Sequence, residues 1–195
     1  MQGSSISPAD MVVHYLPYAG SEPALFLVTG GRGSGKTSWC IELLRQARSV
    51  GIVPVGLVSP AGFEHGTKAG IDLVCVATGE RRNLAVRRQP AVPGSAAQQA
   101  GWHKFDWQFF PDVLAWGNQV LDTLPPGELL ILDELGPLEF FEQVGFTAGL
   151  EQITRQAFKI TCVVIRPTLL EQALGRWPWA KIITIADEPG EGNQP

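Results

Sequence analysis

Short apolar stretches alternate along this chain with segments of helical character. The apolar stretches are rich in Val, Ile and Leu, which is typical of strands buried on both faces. Such strands are expected at 24–28, 53–58, 128–132, 160–165 and 181–185. Helices are expected between them, at 38–50, 111–124, 147–157 and 167–174. Because this alternation builds a parallel sheet with helices on both faces, we predict a three-layer α/β domain with a mostly parallel sheet.

One segment, 62–88, departs from the alternation of strand and helix. Strand-like stretches at 71–77 and 83–86 flank a turn at 78–80, which predicts a β-hairpin inserted after the second core strand. The next stretch, 89–101, contains Pro, Gly, Ala and Gln without periodicity and is expected to be a long loop.

The length and composition of the chain fit one globular domain. Its 195 residues are 45% hydrophobic and 17% charged, which are ordinary values for such a domain. We expect an N-terminal extension at 1–22, a domain at 23–186 and a flexible tail at 187–195. The three cysteines, Cys40, Cys75 and Cys162, are far apart and are expected to be buried thiols.

The net charge and the hydropathy of the chain indicate which kinds of partner and which cellular location to expect. The formal net charge of −4 argues against a nucleic-acid binder, because such proteins normally carry a basic face. No apolar run approaches the ~20 residues of a membrane helix. The first residues also lack the basic and apolar regions of a secretory signal. We therefore expect no nucleic acid partner, no membrane association and a cytoplasmic location.

The glycine-rich run directly after the first predicted strand is the strongest functional signal. It matches G-x-x-x-x-G-K-[ST], the phosphate-binding P-loop, and a predicted helix follows it. Lys36 is expected to reach the β and γ phosphates of a nucleotide, and the Thr37 hydroxyl is expected to ligate Mg²⁺. A dinucleotide fingerprint is excluded because Lys36 stands where its third glycine belongs. The predicted nucleotide-binding residues are Gly30, Gly31, Arg32, Gly33, Ser34, Gly35, Lys36, Thr37 and Ser38.

A second signal lies about a hundred residues downstream, at the end of the strand predicted at 128–132. Four apolar residues that run into Asp133 form the Walker B pattern, in which the carboxylate holds Mg²⁺. Alone, the pattern also fits an Asp that caps a helix or turn. The ends of parallel strands meet at one edge of a sheet, so Asp133 is expected beside the P-loop. The adjacent Glu134 can orient and polarise a water for attack on the γ phosphate; the alternative is a solvated loop carboxylate.

These two motifs resemble those of a known family. The sequences GGRGSGKT and LLILDELGPLEF are similar to the small P-loop nucleoside triphosphatases often called cancer-related nucleoside triphosphatase, whose second motif reads D-E-[IL]-G-x-[ML]-E. The stretch 70–85 is also similar to that family. The resemblance implies Mg²⁺-dependent hydrolysis of nucleoside triphosphates with broad tolerance of the base. It further implies the additional-strand, catalytic-Glu branch of the P-loop fold. This chain departs from the usual family pattern at Arg32, Lys68 and Pro137-Leu138.

The positive group that stabilises the transition state has several candidates. Arg166 follows the strand predicted at 160–165 and is expected at the same edge as the P-loop, where it could act as an arginine finger or pair with a structural carboxylate. Lys68, Arg81 and Arg82 lie on the insert and are the alternatives. Arg81, Arg82, Arg87 and Arg88 also fit a solvated hairpin face. Trp102, Phe105 and Trp107, beside the predicted loop, fit either packing or a cover over the base.

Three functions fit these motifs. The leading hypothesis is a nucleoside-triphosphate phosphohydrolase that uses Mg²⁺, with ATP, GTP and other nucleotides as substrates. The first rival is a small-molecule or nucleoside kinase, in which the insert covers an acceptor. The second rival is a nucleotide-dependent switch that acts on a protein partner. The position of Glu134 directly after Asp133 favours hydrolysis, because a carboxylate there can activate water.

Overall fold

The computed structural model of the protein describes residues 5–17, 22–64, 67–87, 102–104 and 107–186. The strands are β1 (Ala24–Thr29), β2 (Pro54–Val58), β3 (Ala61–Glu64), β4 (Thr67–Cys75), β5 (Arg81–Arg87), β6 (Trp102–Lys104), β7 (Trp107–Phe109), β8 (Gly127–Leu135), β9 (Phe158–Ile165) and β10 (Lys181–Thr184). The α-helices are α1 (Pro8–Asp10), α2 (Lys36–Ser49), α3 (Pro111–Asp122), α4 (Pro137–Phe141), α5 (Thr147–Arg155) and α6 (Leu170–Arg176).

The described strands form one ten-stranded sheet with a parallel core. The parallel strands lie in the order β10-β1-β9-β8-β2. Strand β9 therefore lies between β1, which leads into the glycine-rich loop, and β8, which ends near Asp133. This arrangement confirms the predicted additional strand. It also places the ends of β1 and β8 at the same edge of the sheet, which is where the two motifs were expected to meet.

The predicted hairpin is present and extends the sheet beyond β2. Strand β4 pairs antiparallel with β2, and β5 pairs antiparallel with β4. The sequence did not predict β3, β6 or β7, which complete this antiparallel part of the sheet. Strands β6 and β7 are only three residues long, so they carry too few side chains for a readable alternation. The loop predicted at 89–101 and the tail at 187–195 lie outside the described residues.

Two apolar layers fill the space between the sheet and its helices. One contains buried residues of α3, α5 and α6, and the other contains those of α2 together with the N-terminal segment. This confirms the three-layer prediction. The helix expected at 167–174 is a 3₁₀ turn followed by α6, and the short helix α4 was not predicted. Cys40, Cys75 and Cys162 are buried, as expected.

The segment 5–17 packs on α2. After α1 the chain continues as a π-helical turn, Met11–Tyr15, in which Met11 is fully buried. The ring of Tyr15 meets Phe26 edge to face at 5.2 Å between centroids. The Trp39 indole N–H donates to the carbonyl of Ile6 at 3.0 Å. The domain boundary expected at residue 22 stays a prediction. Among the described residues, no helix is long and apolar enough to cross a membrane.

Candidate active site

The glycine-rich loop connects β1 to α2 at the carboxyl edge of the sheet. Gly33 and Gly35 adopt φ angles of +84° and +87°, which side chains rarely adopt. At Gly30, a Cβ atom would lie 2.5 Å from the carbonyl oxygen of Ile185 and 2.6 Å from the Ser34 hydroxyl. Glycine therefore permits both the turn and the close approach of Ile185, the residue after β10. The loop leads directly into the first turn of α2, whose unpaired N–H groups favour an anion.

Lys36, the first residue of α2, directs its side chain back across this loop. Its ammonium donates to the carbonyl oxygens of Gly30 at 2.9 Å and Gly31 at 2.5 Å. The Ser34 hydroxyl lies 3.4 Å from the same nitrogen. These contacts fix a positive charge beside the backbone amides that form the anion-binding turn. Arg32, in contrast, is exposed to solvent at the tip of the loop.

Thr37 and Asp133 are in contact, and this contact joins the two sequence motifs. The Thr37 hydroxyl donates to Asp133 Oδ1 at 3.2 Å, and the Ser59 N–H donates to Oδ2 at 3.0 Å. Asp133 is only 5% exposed. Burial raises the pKa of Asp133, and the hydrogen bonds from Ser59 and Thr37 oppose that shift. Neither hydrogen-bond partner is charged, so this buried carboxylate is suited to a cation.

Sequence reasoning missed Ser59, although its position carried a usable signal. Ser59 follows β2, and β2 pairs with β8 from Pro54↔Leu129 to Leu57↔Leu132. One residue further along this register, Val58 stands opposite Asp133, so Ser59, the residue after β2, adjoins the Asp133 side chain. Adjacent parallel strands place their end residues together, so a polar residue after β2 was a candidate for the site.

Glu134 has an unusual backbone and contacts Arg166. Its φ angle is +84°, a left-handed conformation that costs a non-glycine residue about 1–3 kcal/mol. Arg166 follows β9 and donates from Nε to Glu134 Oε1, forming an ion pair. Their side chains are 51% and 41% exposed, so water reaches both groups. The structure thus brings the predicted arginine to the predicted water-activating carboxylate at the edge of the sheet.

Two of the other candidate cations, Arg81 and Arg82, form ion pairs within the insert. Arg81 pairs with Asp72 at 3.2 Å, and Arg82 pairs with Glu80 at 2.8 Å. The Arg82 guanidinium also lies 4.3 Å from the centre of the Trp116 ring. Arg81 and Arg82 are thus each paired with a carboxylate of the insert itself. The side chains of Lys68, Arg88, Trp102 and Phe105 lie outside the described residues.

A P-loop after β1, a buried acidic residue near the end of β8 and an additional strand between these two strands are features of P-loop nucleoside triphosphatases. The chain belongs to the NTPase family, whose model matches residues 25–188. It is therefore a nucleoside-triphosphate phosphohydrolase. No curated protein sequence matches the chain significantly.

Two solved structures are similar to this chain. The solution structure of a human cancer-related nucleoside triphosphatase is 20% identical, covers 83% of this chain and 88% of its own, and has a TM-score of 0.62. The crystal structure of THEP1 from the hyperthermophile Aquifex aeolicus is 16% identical, covers 86% of this chain and 92% of its own, and has a TM-score of 0.49. The first of these likenesses supports the fold.

Proposed function

We propose that the protein hydrolyses nucleoside 5′-triphosphates, including ATP and GTP, to the diphosphate and phosphate in a Mg²⁺-dependent reaction. The hydrogen bond between Thr37 and Asp133 is the observation that carries the proposal, because it unites the P-loop and the Walker B strand. The carboxylate of Glu134 lies next in the chain, at the same edge of the sheet. The broad tolerance of the base is proposed from the family resemblance.

The phosphate chain would bind along the loop at 30–38. Backbone N–H groups at the start of α2 stabilise negative charge, and glycine allows the backbone to approach the phosphates. Lys36 is fixed by the loop carbonyls and would neutralise charge on the β and γ phosphates. These groups act on the phosphates rather than the base.

Thr37 and Asp133 are the residues proposed to hold Mg²⁺. Oxygen donors suit this cation, and nucleotide sites commonly combine one or two protein oxygens with phosphate oxygens. The Thr37 hydroxyl and the buried Asp133 carboxylate, which are in hydrogen-bond contact, supply two such oxygens. When bound, the ion would neutralise charge that develops on the phosphates.

Glu134 is proposed to orient the attacking water and to accept its proton. Its carboxylate is partly exposed and accepts a hydrogen bond from Arg166. The guanidinium would hold the carboxylate in place and would provide positive charge near the γ phosphate. Attack by water forms a new P–O bond while the bond to the β-phosphate oxygen breaks, and the nucleoside diphosphate leaves. Lys36, Glu134 and Arg166 are therefore the proposed catalytic residues.

Replacement of Asp133 by asparagine should separate stability from activity. The amide can accept from Ser59 and donate to Thr37 without burying a charge. We expect the free energy of unfolding in a chelator to rise by about 1 kcal/mol, which is roughly 2–4 °C in Tm for a chain of this size. Turnover with Mg²⁺ should fall by about 10²-fold or more. Thermal unfolding and phosphate release measure the two effects.

The exposed Asp122, in the last turn of α3, provides the control for that variant. Asp122→Asn should leave turnover unchanged. Normal Mg²⁺-dependent turnover by Asp133→Asn would remove Asp133 from the metal site.

Replacement of Arg166 by alanine should lower kcat much more than it raises KM. We expect a fall of about 10²-fold, below the 10³–10⁵ of a fully engaged arginine finger, because this side chain is half exposed. Lysine should restore part of the rate, since a point charge cannot reproduce the guanidinium fork. Steady-state kinetics of both variants provide the measurement.

Arg155→Ala is the matched control for Arg166, because Arg155 forms an exposed ion pair with Glu151 on α5. Its kinetics should equal those of the wild type. A lower Tm with normal turnover by the folded Arg166→Ala protein would show that Arg166 has a structural role. The search for a cation would then move to Lys68, Arg81 and Arg82, or to a protein partner.

A panel of nucleotides with Mg²⁺ tests the proposed function. The pure protein should release free phosphate from several nucleotides without an acceptor. A requirement for a small-molecule or nucleoside acceptor would instead identify a kinase. Very slow release that a protein partner accelerates strongly would identify a nucleotide-dependent switch. The cytoplasmic location stays a prediction.

A further inference from the structure

Glu139 is a buried carboxylate that the catalytic proposal leaves without a role. It lies on α4, shortly after β8, the strand that contains Asp133 and Glu134 near its end, and it is only 5% exposed. Burial raises the pKa of Glu139, and the nearby charge of Glu134 adds to that shift. Burial of a carboxylate lowers the stability of the fold unless hydrogen bonds compensate for it. The contacts of Glu139 therefore indicate what this residue contributes.

Both carboxylate oxygens of Glu139 accept hydrogen bonds from the backbone. Oε2 accepts from the N–H of Gly136 at 2.7 Å, and Oε1 accepts from the N–H of Phe146 at 2.7 Å. The side chain thus ties the beginning of α4 to the residue that precedes α5. An amide in this position would direct its own N–H₂ group at one of these donors. Only a carboxylate satisfies both, because each of its oxygens is an acceptor.

The loop that ends at Phe146 is shaped around this carboxylate. Gly145 has a φ angle of +77°, and a Cβ atom on it would overlap Glu139 Oε1. Asn118, on α3, donates to the carbonyl of Gly145 at 2.7 Å and accepts from the N–H of Ala148 at 3.0 Å. The loop is therefore held from α3 as well as from Glu139.

The strand ladder leaves Glu134 without regular pairing. The register between β8 and β9 shifts between Leu132 and Leu135, which are the neighbours of the Asp133–Glu134 pair. Glu134 also has the left-handed φ of +84°. Such a conformation persists only where surrounding contacts hold it. The hydrogen bond from Gly136 to Glu139 fixes the backbone two residues after Glu134.

Phe146 provides a second connection to the site. Phe146 lines the same small crevice as Ser59, Asp133 and Glu134. Glu139 holds the backbone N–H of this residue. The Glu139 carboxylate therefore fixes two parts of the site. It holds Gly136, two residues after Glu134, and it holds Phe146, which lines the crevice beside Glu134.

We propose that Glu139 is a positioning residue that holds Glu134 in the geometry needed to activate water. This inference rests on the proposed catalytic role of Glu134. It gives a physical reason for the last Glu of the segment D-E-L-G-P-L-E, at 133–139. Glu139 acts through the backbone of Gly136 and Phe146.

The test is a double-mutant cycle on folded protein. Glu139→Gln should lower kcat by about 10–10²-fold, the scale expected for a displacement near 1 Å, while KM for the Mg²⁺-nucleotide stays within about threefold. If Glu139 acts through Glu134, the double variant with Glu134→Gln should be no slower than Glu134→Gln alone. Two independent losses would instead multiply.

Gln152→Met supplies the control for loss of a buried polar contact. Gln152 is 2% exposed and donates to the carbonyl of Leu121 at 2.7 Å, within the same half of the domain. Its replacement should lower Tm without lowering kcat. Gly145→Ala supplies a second route to the same carboxylate, because the added methyl group must displace it. This variant should reproduce the kcat loss of Glu139→Gln, and it keeps the test available if Glu139→Gln fails to fold.

The same variants distinguish failure of the positioning role of Glu139 from failure of the catalytic role of Glu134. Wild-type turnover by Glu134→Gln would overturn both. A large loss in Glu134→Gln together with unchanged kcat in folded Glu139→Gln, or in Gly145→Ala, would overturn the positioning role alone. Multiplicative losses in the double variant would also overturn it, since Glu139 would then act independently of Glu134.

Discussion

Replacement of Lys36 by alanine should lower turnover by about 10³-fold, because a fixed positive charge beside the phosphates is lost. The removal of a single preorganised donor commonly costs 10²–10³ in rate, and this donor also carries a charge. The carbonyls of Gly30 and Gly31 hold its ammonium, so the substitution removes the charge from a defined place in the loop. Nucleotide affinity should also fall, since the charge interacts with bound phosphates before the reaction. Phosphate release and nucleotide titration measure the two effects.

Lys159→Ala is the matched control for Lys36. Lys159 pairs with Glu128 at 3.1 Å, at the opposite edge of the sheet, and both side chains are about half exposed. Its removal should change neither turnover nor affinity, because Lys159 lies far from the glycine-rich loop, and it should cost little stability, because exposed ion pairs contribute little. Unchanged phosphate release by Lys36→Ala would contradict the assignment of the glycine-rich loop as the phosphate site.

Replacement of Glu134 by glutamine should separate binding from chemistry. The amide keeps the shape of the side chain but cannot accept a proton from water. General-base catalysis contributes about 10²–10⁴-fold, so kcat should fall by that order while the affinity for Mg²⁺-nucleotide stays within a few fold. Single-turnover kinetics and equilibrium binding on the same preparation measure both quantities.

Glu128→Gln provides the control on the same strand. Glu128 lies near the beginning of β8 and Glu134 near its end, so the two substitutions are chemically identical but lie at opposite edges of the sheet. Glu128→Gln should retain the wild-type rate. Equal rates for Glu134→Gln and the wild type would show that another group activates the water.

The parallel core and the two motifs were predictable because they depend on local sequence. The runs that became β1, β8 and β9 are almost continuously apolar, as strands covered on both faces require. The glycine-rich loop was recognisable because its backbone geometry restricts the residue types. Each motif lies at the carboxyl end of a parallel strand, and these ends meet at one edge of the sheet.

The contacts of the site were less predictable because they depend on register and burial. The pairing of Arg166 with Glu134 follows from the alignment of β8 and β9, which the apolar pattern does not fix to one residue. Glu139 is polar and lies in a short helix, so the sequence gives no sign that it is buried. The sequence did not predict the full burial of Met11, because that burial depends on the packing of the N-terminal segment against α2.

Hydrolysis in water enriched in ¹⁸O tests the central claim most directly. The proposed site activates a water against the γ phosphorus, so mass spectrometry should find one solvent oxygen in each phosphate released in a single turnover. The nucleoside diphosphate should contain none, and Glu134→Gln should slow this incorporation by the same factor as kcat. Incorporation into the diphosphate, or transfer of the phosphoryl group to an acceptor without solvent oxygen, would contradict the account.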